Sequence, residues 1–376
     1  MSPRGAIQPL RIVWDTKDPH GMGALVLRYF ESLRLKAFSR WTIKTRNCAM
    51  HKFAVWLEAR GITQPREVTQ PIIESYQRHL INFRKPNGKA LTVAGNHHRM
   101  TPIRTFFRWL MKNHLLLANP AADIELPRAD KHLPRHILSP EEAETILQKP
   151  DLSKPMGIRD RAILETFYAT GIRRTELNNL KIHDVNMNRG AVAIRDGKGR
   201  KDRMIPIGDR ALAWINKYLL EVRPALALEP DDGTMFLRLS GIPMGANRLS
   251  EIVTAYVKLG GVKEGSCHLF RHTMATHMLE GGADIRYIQH ILGHSNLETT
   301  EVYTRVSMGK LKEVYDLAHP AAKLKKPGGG HPQTEGNEHG KGDEKPMTAE
   351  ELLSMLAAEE EEEKEEMENT RKKNKR

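Results

Sequence analysis

Arg173, Lys198, His268, Arg271 and His294 follow one another along the second half of this 376-residue chain, and Tyr303 stands nine positions after the last histidine. Residues of these types suit chemistry on a phosphodiester. Such a bond resists attack because its charge repels nucleophiles and its alkoxide leaves poorly. A tyrosine phenol, with a free pKa of about 10, is mostly protonated at neutral pH. Cations must therefore cluster where a metal is not used. Arginine serves well, because its planar fork meets two phosphate oxygens at once and keeps its charge. Histidine and lysine donate or shuttle protons. Preorganised donors facing the charge of the phosphorane then supply most of the rate.

The spacing adds to the residue types. In YATGIRRTELNNL, Arg173 and Glu176 lie three apart on a helix expected to start just after Gly171. In GKGRK, Lys198 sits between two glycines that would let the backbone approach a ligand closely. His268 and Arg271 are three apart and so share a helical face. LGHSNLETTEVYT carries His294 and Tyr303. Each piece has an ordinary reading: a polar helix face, a plain turn, a core tyrosine, an Arg173–Glu176 salt bridge. Their joint order and spacing favour the site. His290 with His294, and His268 with His272, are four apart and could chelate zinc. The helical H-E-x-x-H signature and a nearby cysteine pair are absent, so no metal is expected. No Walker-type loop is present, so neither ATP nor another cofactor is expected.

These residues need a scaffold, and the periodicity outlines one. Residues 21 to 113 show apolar positions at helical spacing in GALVLRYFESLRLKAF, TIKTRNCAMHKFAVWLEARG, IIESYQRHLINFRK and AGNHHRMTPIRTFFRWLMKNH. Two of these helices are basic. Lys44, Arg46 and Lys52 lie on the second, and His97, His98, Arg99, Arg104 and Arg108 on the fourth. They are DNA-contact candidates, as is Lys201, although a basic face is also what a solvated helix presents. Residues 1–20 read as an N-terminal extension, 21–118 as a helical domain and 119–137, rich in proline and charge, as a linker. Ser139, Pro140 and Glu142 mark a firm helix start. Helices are expected within 157–180, at 208–222 and 247–259, and through 268–318. Residues 191–207 read as a β-hairpin around the GKGRK turn. The second domain, 138–320, is thus mostly helical with a small sheet, and the fold class is mainly α. Residues 321–376 read as a disordered acidic tail, with Thr348 and Glu351 as the capping box of a short helix. Its plain reading is a solubilising tail and its sharper one a partner-binding helix.

The formal charge is +13. From Lys325 onward the chain holds 10 Lys/Arg against 14 Asp/Glu, so the remainder carries +17. Such a body attracts a polyanion, since each neutralised phosphate releases counterions. No apolar run reaches the roughly 18 residues of a membrane helix. The N-terminus has no secretory pattern, so a cytoplasmic protein with no membrane partner is expected. Cys48 and Cys267 are read as reduced, structural thiols.

From about residue 20 to 320 this array resembles the tyrosine recombinases of the Xer and phage-integrase type. The resemblance implies an N-terminal core-binding, SAM-like domain and an α+β catalytic domain. Arg173 matches the first catalytic arginine, whereas Arg174 falls where the family varies. Lys198 matches the hairpin lysine, implied to be the general acid for the leaving 5′ hydroxyl. His268 and Arg271 match the H-x-x-R pair, His294 the later histidine or tryptophan, and Tyr303 the nucleophile. Glu176 matches an acid that supports the site. The implied partner is double-stranded DNA at a specific site, bound by a homotetramer on paired sites, with an accessory protein as a further partner. Strand exchange would pass through a 3′-phosphotyrosyl link and a Holliday junction. Leu311, Val314, Tyr315 and Leu317, on the helix after the tyrosine, would contact a neighbouring protomer; packing on their own domain is the alternative. The acidic tail is outside the family core, which leans the reading toward a mobile element. A type IB topoisomerase shares the chemistry, but the helical N-terminal domain and the helix after Tyr303 argue against it. A DNA-binding architectural protein would not need the intact catalytic set.

Overall fold

The computed structural model describes residues 10–85, 88–127, 136–195, 202–293, 308–320 and 348–360. The chain divides into two compact units, Met1–Asp130 and Lys131–Arg376.

The first unit holds α1 (Met22–Leu35), α2 (Arg40–Glu58), α3 (Gln70–Asn82) and α4 (Val93–Lys112). Side-chain caps start two of them: Ser39 accepts from the Thr42 amide and Thr92 from that of Gly95. The helical stripes converge on an aromatic core in which Phe53, Phe106 and Phe107 are fully buried. Tyr29 meets Phe106 edge-on at 5.5 Å, and Tyr76 meets Phe53 at 4.8 Å. Edge-on pairs of this kind add about 0.5–1.5 kcal/mol each beyond their buried area. The core reaches past the 21–118 span read from periodicity. Trp14 is buried in it, and the Asn47 side chain accepts from the Arg11 amide. Ala121 and Ile124, in the stretch read as linker, are buried there too. Single apolar anchors like these have no period and so leave no helical signature.

The second unit is helical around a small sheet. Its elements are α5 (Pro140–Leu147), α6 (Pro155–Thr170), α7 (Arg174–Asn179), α8 (Asp209–Glu221), α9 (Ala246–Leu259), α10 (Cys267–Glu280) and α11 (Ile285–Leu292). Ser139 and Glu142 form the expected capping box of α5. Every residue of α6 from Gly157 to Thr170 is buried. Strands β1 (Val185–Asn186), β2 (Ala191–Ile194) and β3 (Arg203–Pro206) pair antiparallel in that order. Ala191 faces Pro206 and Ile194 faces Arg203, so β2 and β3 pair along their full lengths.

Two further helices pack on this unit. In Met308–Ala318, Leu311 and Tyr315 are buried in the unit's own core and Val314 packs against it, while Leu317 is 53% exposed. Packing on its own domain is therefore what the single chain shows for three of the four proposed protomer contacts. The other helix, 349–360, is the short helix expected within the tail, and it packs on the second unit where the plain reading had a solubilising tail. Thr348 and Glu351 form the expected capping box, with the Thr348 amide 3.0 Å from Glu351 Oε2. Leu352 and Leu356 are then fully buried in the core of the second unit. Two leucines one helical turn apart, each contributing roughly 1.5–3 kcal/mol on burial, offset ordering that the average composition of the tail would not support.

Candidate active site

The site is assembled from the ends of α6 and α11, the starts of α7 and α10, and β3. Gly171 ends α6 at φ 56°, a left-handed turn that a β-carbon would strain, and its side toward the core is filled by Met274. This sharp exit brings Arg173 to the N-cap of α7, where its backbone amide donates to Glu176 Oε2 at 2.9 Å. The Arg173 guanidinium donates to Glu176 Oε1 at 3.1 Å. Arg173 with Glu176 is thus a helix cap and an ion pair in one, which orients the arginine.

Arg271 arrives on α10, almost wholly buried at 1% exposure. Its two terminal nitrogens donate to the carbonyls of Gly171, at 2.7 Å, and Leu292, at 2.9 Å. Burial pulls its pKa down to about 10, which leaves it charged at neutral pH. His268 precedes it on the same helix, also buried, with its ring centroid 6.4 Å from that of His272. Burial pulls His272 down to about 4, so this ring is neutral near pH 7.

Arg203 was not among the residues singled out in the sequence, yet it completes the scaffold. From the first position of β3 it grips Glu176 with two hydrogen bonds, 2.9 and 2.8 Å, and donates to the Ile291 carbonyl at 3.0 Å. Burial would raise the Glu176 carboxyl, but Arg203 and then Arg173 outweigh it and hold the group at about 2. Gly293, at φ 67°, ends α11 against this arginine; a β-carbon there would lie 2.8 Å from Arg203 Cζ. The available signal was weak: an arginine at a strand's first position, paired with a glutamate 27 residues earlier.

The carboxylate of Glu359, from the 349–360 helix, lies between Arg173 and Arg271. Arg173 donates to its Oε1 at 2.9 Å, and Arg271 makes an ion contact with its Oε2 at 3.2 Å. Burial works against the Arg173 charge, but Glu359 and Glu176 more than offset it and its pKa is raised. Glu360 approaches the His272 ring at 3.6 Å. Lys198, Lys201, His294 and Tyr303 lie outside the described residues.

Comparison with known proteins accords with this arrangement. The phage integrase family matches residues 136–310. Tyrosine recombinase XerC 2 of Ralstonia nicotianae is 46% identical over 294 residues, covering 78% of this chain and 84% of the relative. The chain belongs to the tyrosine recombinases of the Xer type. Tyrosine recombinase XerD of Staphylococcus epidermidis is 33% identical over 303 residues, covering 80% of this chain and 100% of the relative. A lambda integrase tetramer solved on a Holliday junction shares the fold, with a TM-score of 0.55 at 17% identity and 78% of each chain covered. As a tyrosine recombinase, this protein is an enzyme of site-specific DNA recombination.

In the recombinase's first unit the DNA-contact candidates separate into two groups. Arg46 donates to the Tyr29 hydroxyl at 3.1 Å and lies over Phe38, and Arg99 lies over Phe83. His97 bonds the Pro127 carbonyl at 2.6 Å, and Arg104 is half-buried. Lys44, Lys52, His98 and Arg108 are exposed. Arg46, Arg99 and His97 are engaged in contacts within the unit, and the second group lies at its exposed surface. Among the described residues no helix is long and apolar enough to cross a membrane.

Proposed function

We propose that this recombinase cuts and rejoins duplex DNA at a specific site through a 3′-phosphotyrosyl intermediate. The observation that carries the reading is the convergence of Arg173 and Arg271, 98 positions apart in sequence, on the two oxygens of one carboxylate. Two guanidiniums, one held by the Glu176 carboxylate that Arg203 grips and the other by backbone carbonyls, form a preorganised seat for a tetrahedral anion. In the proposed reaction Tyr303 Oη attacks the scissile phosphorus and releases its proton to solvent, Arg173, Arg271, His268 and His294 steady the phosphorane, and the P–O5′ bond breaks as the 5′ oxygen takes a proton from Lys198, which solvent then restores. In the reverse step a 5′ hydroxyl attacks the phosphotyrosine and frees the phenol. The broken bond is stored covalently, so neither ATP nor a metal is needed.

The biological unit would be a homotetramer on two paired sites, acting on DNA in the cytoplasm. One strand pair is exchanged, a Holliday junction forms, and the second pair follows. An accessory protein that sets the order of exchange is compatible with this scheme. The test is a covalent-adduct assay on fragments of the protein's own genetic locus, in EDTA without ATP, quenched with SDS. A protease-sensitive DNA adduct in wild type and none in Tyr303→Phe is the expected result. Equal behaviour of the two proteins would remove Tyr303 from the chemistry. Relaxation of supercoiled DNA by a monomer, with no strand exchange between two sites, would favour the topoisomerase reading.

A further inference from the structure

The 349–360 helix lies beyond residue 310, where the family match ends, and nothing in the proposed reaction uses it. Its sequence places Leu352, Leu356 and then Glu359 and Glu360 at steps of four and three, so all four lie along one face. The two leucines are fully buried in the second unit. One turn later the same face delivers Glu359 between Arg173 and Arg271, one oxygen to each guanidinium. Glu360 follows toward His272, on the face of α10 that carries His268 and Arg271. A carboxylate held by two arginines stands where the two non-bridging oxygens of a phosphodiester would be held.

We propose that this acidic helix is a built-in occupant of the phosphate seat, an intrachain mimic that the scissile phosphate must displace. The proposal rests on the reading of Arg173 and Arg271 as the phosphate-binding pair. The occupant is specified by its own chemistry: an apolar anchor of two leucines and an acidic end that meets the excess cations of the site. Glu359 and a phosphate cannot share the fork, since both are anions claiming the same donors. Tethering to the same chain gives the helix a high effective concentration, so the open form is a minority in the absence of DNA. DNA then binds with an apparent affinity lowered by the open fraction. Anything that lifts the leucines from their seat raises activity without touching the reacting groups. The recombinase is in this way restrained until it meets a duplex able to compete.

The experiment compares full-length wild type with Glu359→Gln, with Leu352→Ala/Leu356→Ala, and with Glu350→Gln as a control at the exposed start of the same helix. The readouts are hydrogen exchange of the 349–360 amides with and without a duplex, duplex affinity, and the rate of adduct formation on locus fragments. Glu359→Gln and the double leucine variant should each bind duplex about tenfold more tightly, as expected for the loss of one charge-assisted contact, and form adduct correspondingly faster. The leucine variant keeps every charge, so its gain separates docking from bulk electrostatics. Duplex should strip exchange protection from the wild-type helix, and Glu350→Gln should match wild type. Equal gains for Glu359→Gln and Glu350→Gln with none for the leucine variant would overturn the proposal in favour of general charge repulsion. Persistent protection of the helix on saturating duplex would overturn it in favour of a purely structural element. Displacement by duplex without adduct from any variant would uphold the docked helix while refuting the cleavage reading.

Discussion

Around α6, Arg161 and Arg210 close on Glu165 and Glu144 with ion pairs of 2.7 and 2.8 Å. Around α7 and α10, Arg173, Arg203 and Arg271 converge with Glu176, and a second carboxylate enters through the C-terminal helix. All five arginines are buried or nearly so, with side chains between 1% and 9% exposed. The first cluster balances two cations with two carboxylates; the second, without the tail, sets three cations against one. Desolvating an unmatched charge costs several kcal/mol, so an unbalanced buried cluster is sustained only where an anion is to be received. Burial alone does not tell a structural arginine from a functional one. Charge balance does.

Five perturbations bear on that contrast. Glu165→Ala should produce the largest effect, a loss of about 3–5 kcal/mol in urea unfolding, because it leaves Arg161 and Arg210 buried beside an incomplete partner set. Adduct formation by the fraction that stays folded should be nearly unchanged; a selective loss of cleavage would blur the two clusters. Arg271→Lys should slow adduct formation about 10²–10³-fold, since a single ammonium cannot serve Gly171, Leu292 and a phosphate oxygen together. Its unfolding midpoint should move much less than that of Glu165→Ala, and the reverse pattern would recast Arg271 as structural.

The Glu176 carboxyl offers a test by pH. Its folded pKa of about 2 lies below its unfolded value of 4.5. The group therefore adds stability above pH 4.5, and that contribution disappears as pH falls toward 2. The two values differ by about 2.5 pH units, equivalent to roughly 3 kcal/mol. Urea titrations between pH 6 and 3 should show wild type losing this increment while Glu176→Gln, lower at the start, loses less. Parallel curves would mean that Arg203 does not hold the carboxylate. The smallest effect is expected in the first unit. Lys44→Ala should weaken duplex binding only a few-fold and reduce the salt slope by about 1 without a change in stability. Arg46→Ala, which loses its bond to Tyr29, should instead lower stability by about 1 kcal/mol.

Much of this architecture was legible because periodic and capping signals act locally. Ser139 with Glu142, and Thr348 with Glu351, formed the boxes their spacing announced. Strands β2 and β3, the helix that Arg173 caps and the helix carrying Arg271 lie where the pattern put them. What escaped was nonlocal. Arg203 looked like one more basic residue of a strand, and only the approach of β3 to α7 gives it Glu176. Trp14, Ala121 and Ile124 join the first unit's core from segments with no helical period.

The chain by itself determined the identities and order of the candidate catalytic residues, the helical character of both units and the excess of positive charge, because these follow from residue type and local spacing. Tertiary structure alone decided which cations remain unmatched in the folded body, and that an acidic segment more than 180 residues from Arg173 settles between Arg173 and Arg271. Pairing between distant charges depends on which surfaces the core brings together. A composition average over the tail could not show that two of its leucines have a place in that core.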